Sequence, residues 1–404
     1  GQILEGNKTI TAITKANPGV ITCSSHGYLT GDEINISSIV GMTELNNKRF
    51  LVVKIDGNTF SLTNVDGVAI NTTNFTTYGS AGTMNRVFQI TTTYTTAEIF
   101  DLKFAQSADV MYITHPNHQT RKLSRTGHTT WTLAAVEFTN GPFLDTNVST
   151  TTLTPASAGV GTGVNVTASA VAGVNGGSGF LTTDVGRQIR IGDGYGIITA
   201  RTNTTVVVVT VTTAFANTNA NTDWSLGAFS TTTGFPSCVS FFEQRLVFAA
   251  SINNPQTVYF SKSGDYENMD ANIGGTVADD DAIIYTIASN QVNAIRFMSS
   301  ARTLIIGTAG GEFVVSGGGD NNAVTPTNIM IKKQSNHGAA NVDAISVGNA
   351  TLFLQRAKRK IRELAYNFDV DGYIAPDLTI LAEHITEGNV VEMAYQEEPL
   401  AIIW

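Results

Sequence analysis

Apolar positions along this chain recur as short alternating pairs of segments rather than as helical stripes. Leu102-Lys-Phe104 runs into Val110-Met-Tyr-Ile113, Val239-Ser-Phe241 into Leu246-Val-Phe248, and Ile295-Arg-Phe297 into Leu304-Ile-Ile306. Ile345-Ser-Val347 then runs into Leu352-Phe-Leu354, and Val391-Glu-Met393 into Leu400-Ala-Ile-Ile403. Each copy reads as an apolar-x-apolar strand, a polar turn and a hydrophobic strand, usually with a third strand behind. The later copies begin about 56, 50 and 46 residues after one another, the rhythm of β-propeller blades. The interval from Leu102 to Val239 is too long for one blade and predicts an insertion. A ring of blades must close on itself, yet the last copy is cut at Trp404, so the pattern reads as part of a longer protein.

Two stretches break the rhythm. From about Thr9 to Met84, Val20-Ile21, Glu33-Ile-Asn-Ile36, Phe50-Leu-Val-Val53 and Thr59-Phe-Ser-Leu62 alternate as strands. Asn17-Pro-Gly19, Thr30-Gly-Asp32, Asp56-Gly-Asn58 and Asp66-Gly67 supply the turns between them. From about Asp145 to Ser230 the composition shifts to Thr, Val, Ala, Gly and Asn. Val185-Gly-Arg-Gln-Ile-Arg-Ile191, Tyr195-Gly-Ile-Ile-Thr199 and Thr205-Val-Val-Val-Val-Thr-Val211 are the strands there, and Asn175-Gly-Gly-Ser-Gly179 an exposed loop. The expected fold is all-β: an incomplete β-propeller carrying two inserted small β-barrel or β-sandwich domains. Residues 1–8 are a propeller strand, 9–84 the first insertion and 85–144 blades; 145–230 are the second insertion and 231–404 further blades, ending mid-blade.

Composition narrows the function classes. Of 404 residues, 42% are hydrophobic and only 14% charged, below the usual quarter. Thr, Asn, Ser and 38 Gly replace the missing charge, which favours pleated strands and turns over helix. One short helix is predicted at Thr96-Ala-Glu-Ile-Phe-Asp101, where a hydroxyl followed three residues later by a carboxylate resembles a capping box. A net charge of -9 argues against sequence-reading contact with nucleic acid, which needs clustered Lys and Arg. It suits a wall past which DNA slides. No apolar run is long enough for a membrane span. Cys23 and Cys238 match no metal spacing and read as buried small apolar residues.

Candidate chemistry is sparse. His115-Pro-Asn-His118, with His128 nearby, offers imidazoles, but no Cys or carboxylate stands at zinc-like spacing, so these read as polar loop residues between strands. Asp279-Asp-Asp281 lacks the ligand pattern of a calcium loop and reads as a solvated turn. Gly192-Asp-Gly-Tyr-Gly196 and Gly317-Gly-Gly319 do not sit between a strand and a helix, which removes a phosphate cradle. The sequence therefore assigns no catalytic, cofactor-binding or metal residues and implies no cofactor. One basic run remains: Arg356, Lys358, Arg359, Lys360 and Arg362 at the tip and return strand of a hairpin. A solvated tip is its default reading; an inter-subunit salt-bridge patch facing Glu383, Glu387, Glu392, Glu397 and Glu398, or a weak contact with DNA phosphates, is the alternative.

Four longer stretches carry a resemblance. They are Thr93 through His115; Gly234-Phe-Pro-Ser-Cys-Val-Ser-Phe-Phe-Glu-Gln-Arg-Leu-Val-Phe248 with Ser261-Lys-Ser-Gly-Asp-Tyr-Glu-Asn268; Leu304-Ile-Ile-Gly-Thr-Ala-Gly-Gly-Glu-Phe313; and Asp377-Leu-Thr-Ile-Leu-Ala-Glu-His384. Together they resemble the tail nozzle (tail tubular B-like, or hub) proteins of short-tailed bacteriophages. The first insertion is similar to small β-domains of phage virion proteins, through Asn17-Pro-Gly-Val-Ile-Thr22, His26-Gly-Tyr-Leu-Thr-Gly-Asp32, Gly41-Met-Thr-Glu-Leu-Asn46 and Asn58-Thr-Phe-Ser-Leu62. Such domains sometimes share a label with a catalytic-cysteine-flanking domain of ubiquitin-activating enzymes; no enzymatic role follows from it.

The resemblance implies a structural virion protein, not an enzyme. It implies a hexameric ring below portal and adaptor proteins, a docking platform for tail fibres or spikes, and passing non-specific contact with genomic DNA. The location implied is the virion tail, with the host cytoplasm during assembly. Net negative residues are expected to line the lumen. Two rivals stand beside it. A glycan-binding adhesin needs exposed aromatics beside carboxylates, and Tyr195, Trp224 and Phe180 are the residues to inspect. A glycan-degrading enzyme needs a carboxylate pair roughly 5–10 Å apart in a cleft.

Overall fold

The computed structural model describes residues 3–288, 293–318, 322–399 and 402–403. Gly319, Leu400, Ala401 and Trp404, which the sequence reading used, lie outside them. The protein is all-β: among the described residues every helical element is a 3-10 turn of three to six residues. The chain forms two compact units, Gly1–Thr93 with Ser124–Thr132, and Tyr94–Leu123 with Leu133–Trp404.

The first unit holds a seven-stranded antiparallel sheet. Its order is Lys8–Thr9, Ser80–Arg86, Glu33–Val40, Lys48–Lys54, Thr59–Thr63, Val20–Thr22, Ala12–Ile13. Alternation in Glu33–Val40 turns Ile34 and Ile36 into a core with Ile21, Phe60, Leu62 and Met84. The four strands expected here form. Lys8 and Thr9 pair with Met84 and Thr83, so the boundary drawn after Lys8 falls inside this sheet. The Ser80–Arg86 strand escaped the sequence reading because Ser-Ala-Gly-Thr carries no apolar alternation.

The described residues also form four four-stranded antiparallel meanders, which belong to the second unit except for Ser124–Thr132 in the first of them. The first is Lys103–Ser107, Val110–His115, His118–Gly127 and Thr130–Ala135. The second is Cys238–Phe242, Arg245–Ala249, Thr257–Phe260 and Ile283–Thr286. The third is Ile295–Ser300, Leu304–Thr308, Gly311–Gly317 and Ile329–Ser335; the fourth is Ala350–Leu354 between Ile345–Val347 and Ile361–Asn367, then Gly372–Ile374. Successive first strands approach one another: Ser240 Oγ lies 2.7 Å from Ser300 Oγ, and Ser299 Oγ 3.3 Å from Ser346 Oγ.

The cores lie between consecutive sheets, and alternation explains how. In the second meander Leu246, Phe248 and Tyr259 face a cluster with Tyr112 of the first. Val247, Val258 and Phe260 on the opposite face join Leu304, Ile306 and Phe313 of the third. Phe297, Ile305 and Val314 of the third then meet Phe353 and Leu364 of the fourth. A sheet covered on both faces needs apolar residues at successive positions, which is why Arg245–Ala249 and Leu304–Thr308 are buried throughout.

Between the first and second meanders, a six-stranded sheet forms from Leu153–Pro155, Gly161–Ala168, Val206–Thr213, Gly194–Arg201, Gln188–Ile191 and Trp224–Leu226. The strand expected from Val185 starts only at Gln188, because Arg187 turns into a buried network. Asp184 Oδ1 accepts from Arg187 at 2.9 Å and from Thr232 Oγ1 at 2.7 Å; its Oδ2 accepts from Asn175 Nδ2 and Leu181 N–H, each at 2.7 Å. Asn175 thus anchors a loop whose exposed part is only Gly176–Ser178. In the fifth copy, Val391-Glu-Met393 is not a strand: Met393 is buried against Leu354, and Val391 is exposed. Tyr395–Gln396 instead pairs with Ile402–Ile403.

Candidate metal centre

The short helix expected at Thr96–Asp101 forms as a 3-10 turn, capped by Thr95. Glu98 closes the capping box: its Oε2 accepts from Thr95 N–H at 2.9 Å and Thr95 Oγ1 at 2.8 Å. That leaves Oε1 turned to the first meander, where it lies 2.9 Å from His118 Nε2. His115 and His118 flank the two-residue turn Pro116-Asn117 at adjacent strand ends. Their rings stand 4.9 Å apart, centre to centre. One ligand atom from each of Glu98, His115 and His118 lies within 4.8 Å of the others.

The surroundings hold these groups in place. Phe235 N–H donates to Pro116 O at 3.0 Å, tying the turn to the approach of the second meander. Asn117 N–H donates to His115 Nδ1 at 3.2 Å. Tyr94 packs edge-on against His118, centroids 5.2 Å apart, and its buried hydroxyl has no partner. Hydrogen bonding from the Thr95 backbone, then from His118, holds the Glu98 carboxyl down at about 2. Burial, with His118 adding to it, pulls His115 below the ordinary imidazole range and keeps the ring neutral. His115 is only 2% exposed, so it is not the open loop residue expected from sequence. Glu98 entered the sequence reading only as a helix cap; its distance in sequence from the histidines hid the third ligand. His128 is not part of this cluster.

The basic hairpin does not assemble as a free cationic patch. Lys360 Nζ sits 2.8 Å from Asp377 and 3.4 Å from Glu383 of the same chain. Arg362 donates to Gln355 Oε1 at 3.0 Å and Ala375 O at 2.6 Å. Arg356 and Arg359 are exposed and Lys358 half-buried. The acidic partner proposed across an interface, Glu383, is thus met within the chain.

Other candidates resolve as structure. Asp281 is buried, accepts from Ala278 N–H at 2.8 Å and pairs with Lys262 at 2.7 Å. Arg245 donates to the carbonyls of Asp279 and Asp281, each at 2.6 Å. The expectation of a fully solvated Asp279–Asp281 turn is corrected accordingly. Tyr195, Trp224 and Phe180 are all buried in the inserted sheet. Cys23 and Cys238 are free, buried thiols, raised by burial and so protonated at neutral pH. A cavity of about 260 Å³ lies between Gln119, Phe138, Gln188, Phe229 and Phe235, and Glu137 is the one carboxylate lining it. No helix among the described residues is long and apolar enough to cross a membrane.

Sequence comparison with known proteins touches a small part of the chain. The model of the ubiquitin-activating enzyme E1 FCCH domain matches residues 16–87. Ubiquitin-like modifier-activating enzyme 1 of Oryctolagus cuniculus is 37% identical over 82 residues, covering 19% of this chain and 7% of that protein. The Homo sapiens protein is 35% identical over the same length and coverage. The chain thus spans 7% of the length of these curated relatives. Among solved structures, the phage phi92 endosialidase aligns with 90% of this chain and 47% of its own, at 12% identity and a TM-score of 0.23. The Neurospora crassa Pan2 WD40 domain aligns with 73% and 82%, at 8% identity and 0.21. Likeness at that level extends to neither fold nor function.

Proposed function

We propose that this chain is a structural subunit of a bacteriophage tail, part of a nozzle or hub ring that encloses the path of the leaving genome and seats tail fibres. In this reading the four meanders are blades of an incomplete β-propeller, and the seven- and six-stranded sheets are two inserted β-domains. The observation that carries it is the placement of the four nozzle-like motifs: the first three fall on the first three meanders, and the fourth follows the last strand of the fourth meander and bridges back to Arg362 within it. Thr93–His115 supplies the capped turn and first two strands of the first, and Gly234–Phe248 the approach and first two strands of the second. Leu304–Phe313 is the centre of the third. Asp377–His384 holds the ion pairs that brace the fourth, through Lys360.

Blades locked face to face through shared cores resist shear, which suits a load-bearing ring. The net charge of -9 limits adhesion of DNA passing through. The burial of Tyr195, Trp224 and Phe180 removes the aromatic platform an adhesin reading relied on. Portal and adaptor proteins above and fibres or spikes at the rim are the partners proposed. Quantitative mass spectrometry of gradient-purified particles tests the assignment. The protein is expected in the particle at hexameric stoichiometry against the portal; its absence from purified particles would overturn it.

A further inference from the structure

We propose that Glu98, His115 and His118 form a binding site for one divalent transition-metal ion of the zinc type, clamping the Thr96–Asp101 turn to the first meander's hairpin. Two imidazoles and one carboxylate form a ligand set that zinc uses with a fourth position left to water. Zinc with ligands at about 2.0–2.1 Å in tetrahedral array needs neighbouring ligand atoms about 3.3 Å apart. The 2.9 Å between His118 Nε2 and Glu98 Oε1 must open slightly, and the other separations, within 4.8 Å, must close. The supports are already in place, since Oε2 of Glu98 is held by Thr95 while Oε1 stays available. Such outer partners orient a ligand before the ion arrives.

One internal bond stands against loading. Ligation through Nδ1 of His115 uses the lone pair now accepting from Asn117 N–H; ligation through Nε2 leaves Nδ1 carrying a proton that faces the same N–H. Either way the 3.2 Å bond is given up. It is long, and its donor lies in an exposed turn where water replaces it. Harder ions such as Mg²⁺ and Ca²⁺ prefer oxygen donors, and the two nitrogens here select against them.

The test uses the whole chain, stripped with chelator and titrated with Zn²⁺ by calorimetry and with Co²⁺ by visible absorption. One equivalent is expected to bind, with a tetrahedral cobalt spectrum and a melting temperature raised by Zn²⁺ but not by Mg²⁺. Glu98→Gln keeps the capping box, which accepts Gln as well as Glu, and removes the anionic ligand. It is expected to weaken zinc binding at least tenfold, with the zinc-induced rise in melting temperature read against the variant's own metal-free value. His118→Ala is expected to abolish the cobalt spectrum, and His128→Ala to leave it unchanged. No bound equivalent, or wild-type affinity in Glu98→Gln and His118→Ala, would overturn the site.

Discussion

Lys103 Nζ lies 3.2 Å from Asp343 Oδ1, and it does so from a position only 4% exposed to solvent. Lys103 opens the first strand of the first meander, and Asp343 precedes the first strand of the fourth. The ammonium also donates to the Arg296 carbonyl of the third. Burial opposes its charge and the Asp343 carboxylate favours it, while the neutral Cys238 thiol of the second meander lies against it. One side chain therefore joins all four meanders where their first strands converge.

This arrangement makes an asymmetric prediction. Asp343→Ala leaves a buried ammonium short of its counter-charge and is expected to cost about 1–3 kcal/mol. Adding Lys103→Met, which fills the same space without charge, is expected to recover at least half of that. Urea denaturation of wild type, single and double variants reads the difference. Equal midpoints for single and double variants would show that the ammonium needs no partner there.

Phe297 lies opposite Gly307 in the third meander, its ring covering the glycine. A Cβ at Gly307 would fall 2.0 Å from Phe297 Cε1, and Phe297 is fully buried between the third and fourth sheets. Gly307→Ala is expected to destabilise by about 1–3 kcal/mol, as overpacking does. Gly161→Ala meets nothing within 4 Å and should stay within about 0.5 kcal/mol of wild type. Thermal melts of the two variants separate packing from a general effect of losing glycine.

Both members of the buried Asp184–Arg187 pair make further hydrogen bonds, Arg187 donating to Gly227 O at 2.8 Å and Asn175 Oδ1 at 2.8 Å. Asp184→Ala strands the guanidinium and is expected to cost about 3–5 kcal/mol. Trp224, buried in the same sheet, reports locally: its fluorescence should shift at lower denaturant than in wild type. An unchanged Trp224 transition would contradict the role of this network.

How much of this was legible depends on how locally each feature is encoded. The first two strands of four copies were readable, because Leu246-Val-Phe248 and Leu304-Ile-Ile306 advertise sheets buried on both faces. Gly161–Ala168 was missed, since its inward Val164, Val166 and Ala168 alternate with Thr, Asn and Gly that also suit loops. The basic hairpin was readable as a run of charge, but not the return of Asp377 to Lys360, which depends on how the chain folds back. The same holds for Glu98 and the two histidines. A cap, a turn and a two-residue hairpin were each visible; their meeting point was not.

The Lys360–Asp377 pair gives a pH signature. Hydrogen bonding from Lys360, then Thr379, holds the Asp377 carboxyl down at about 2, from 3.8 when free. A depressed acid contributes stability that is present above the free value and lost as pH falls through the folded one. Wild type should therefore lose stability between about pH 4 and 2 more steeply than Asp377→Asn. Denaturant midpoints across that window measure it; parallel curves would show that the pair contributes nothing.

The central claim is tested most directly by cryo-electron microscopy of the native particle. The expected result is a six-fold ring below the portal, with the four meanders in its wall, acidic residues facing a continuous axial channel and both inserted sheets resolved. A monomeric or trimeric assembly at a distal tip, with no channel through it, would contradict the conduit and return the protein to the adhesin reading.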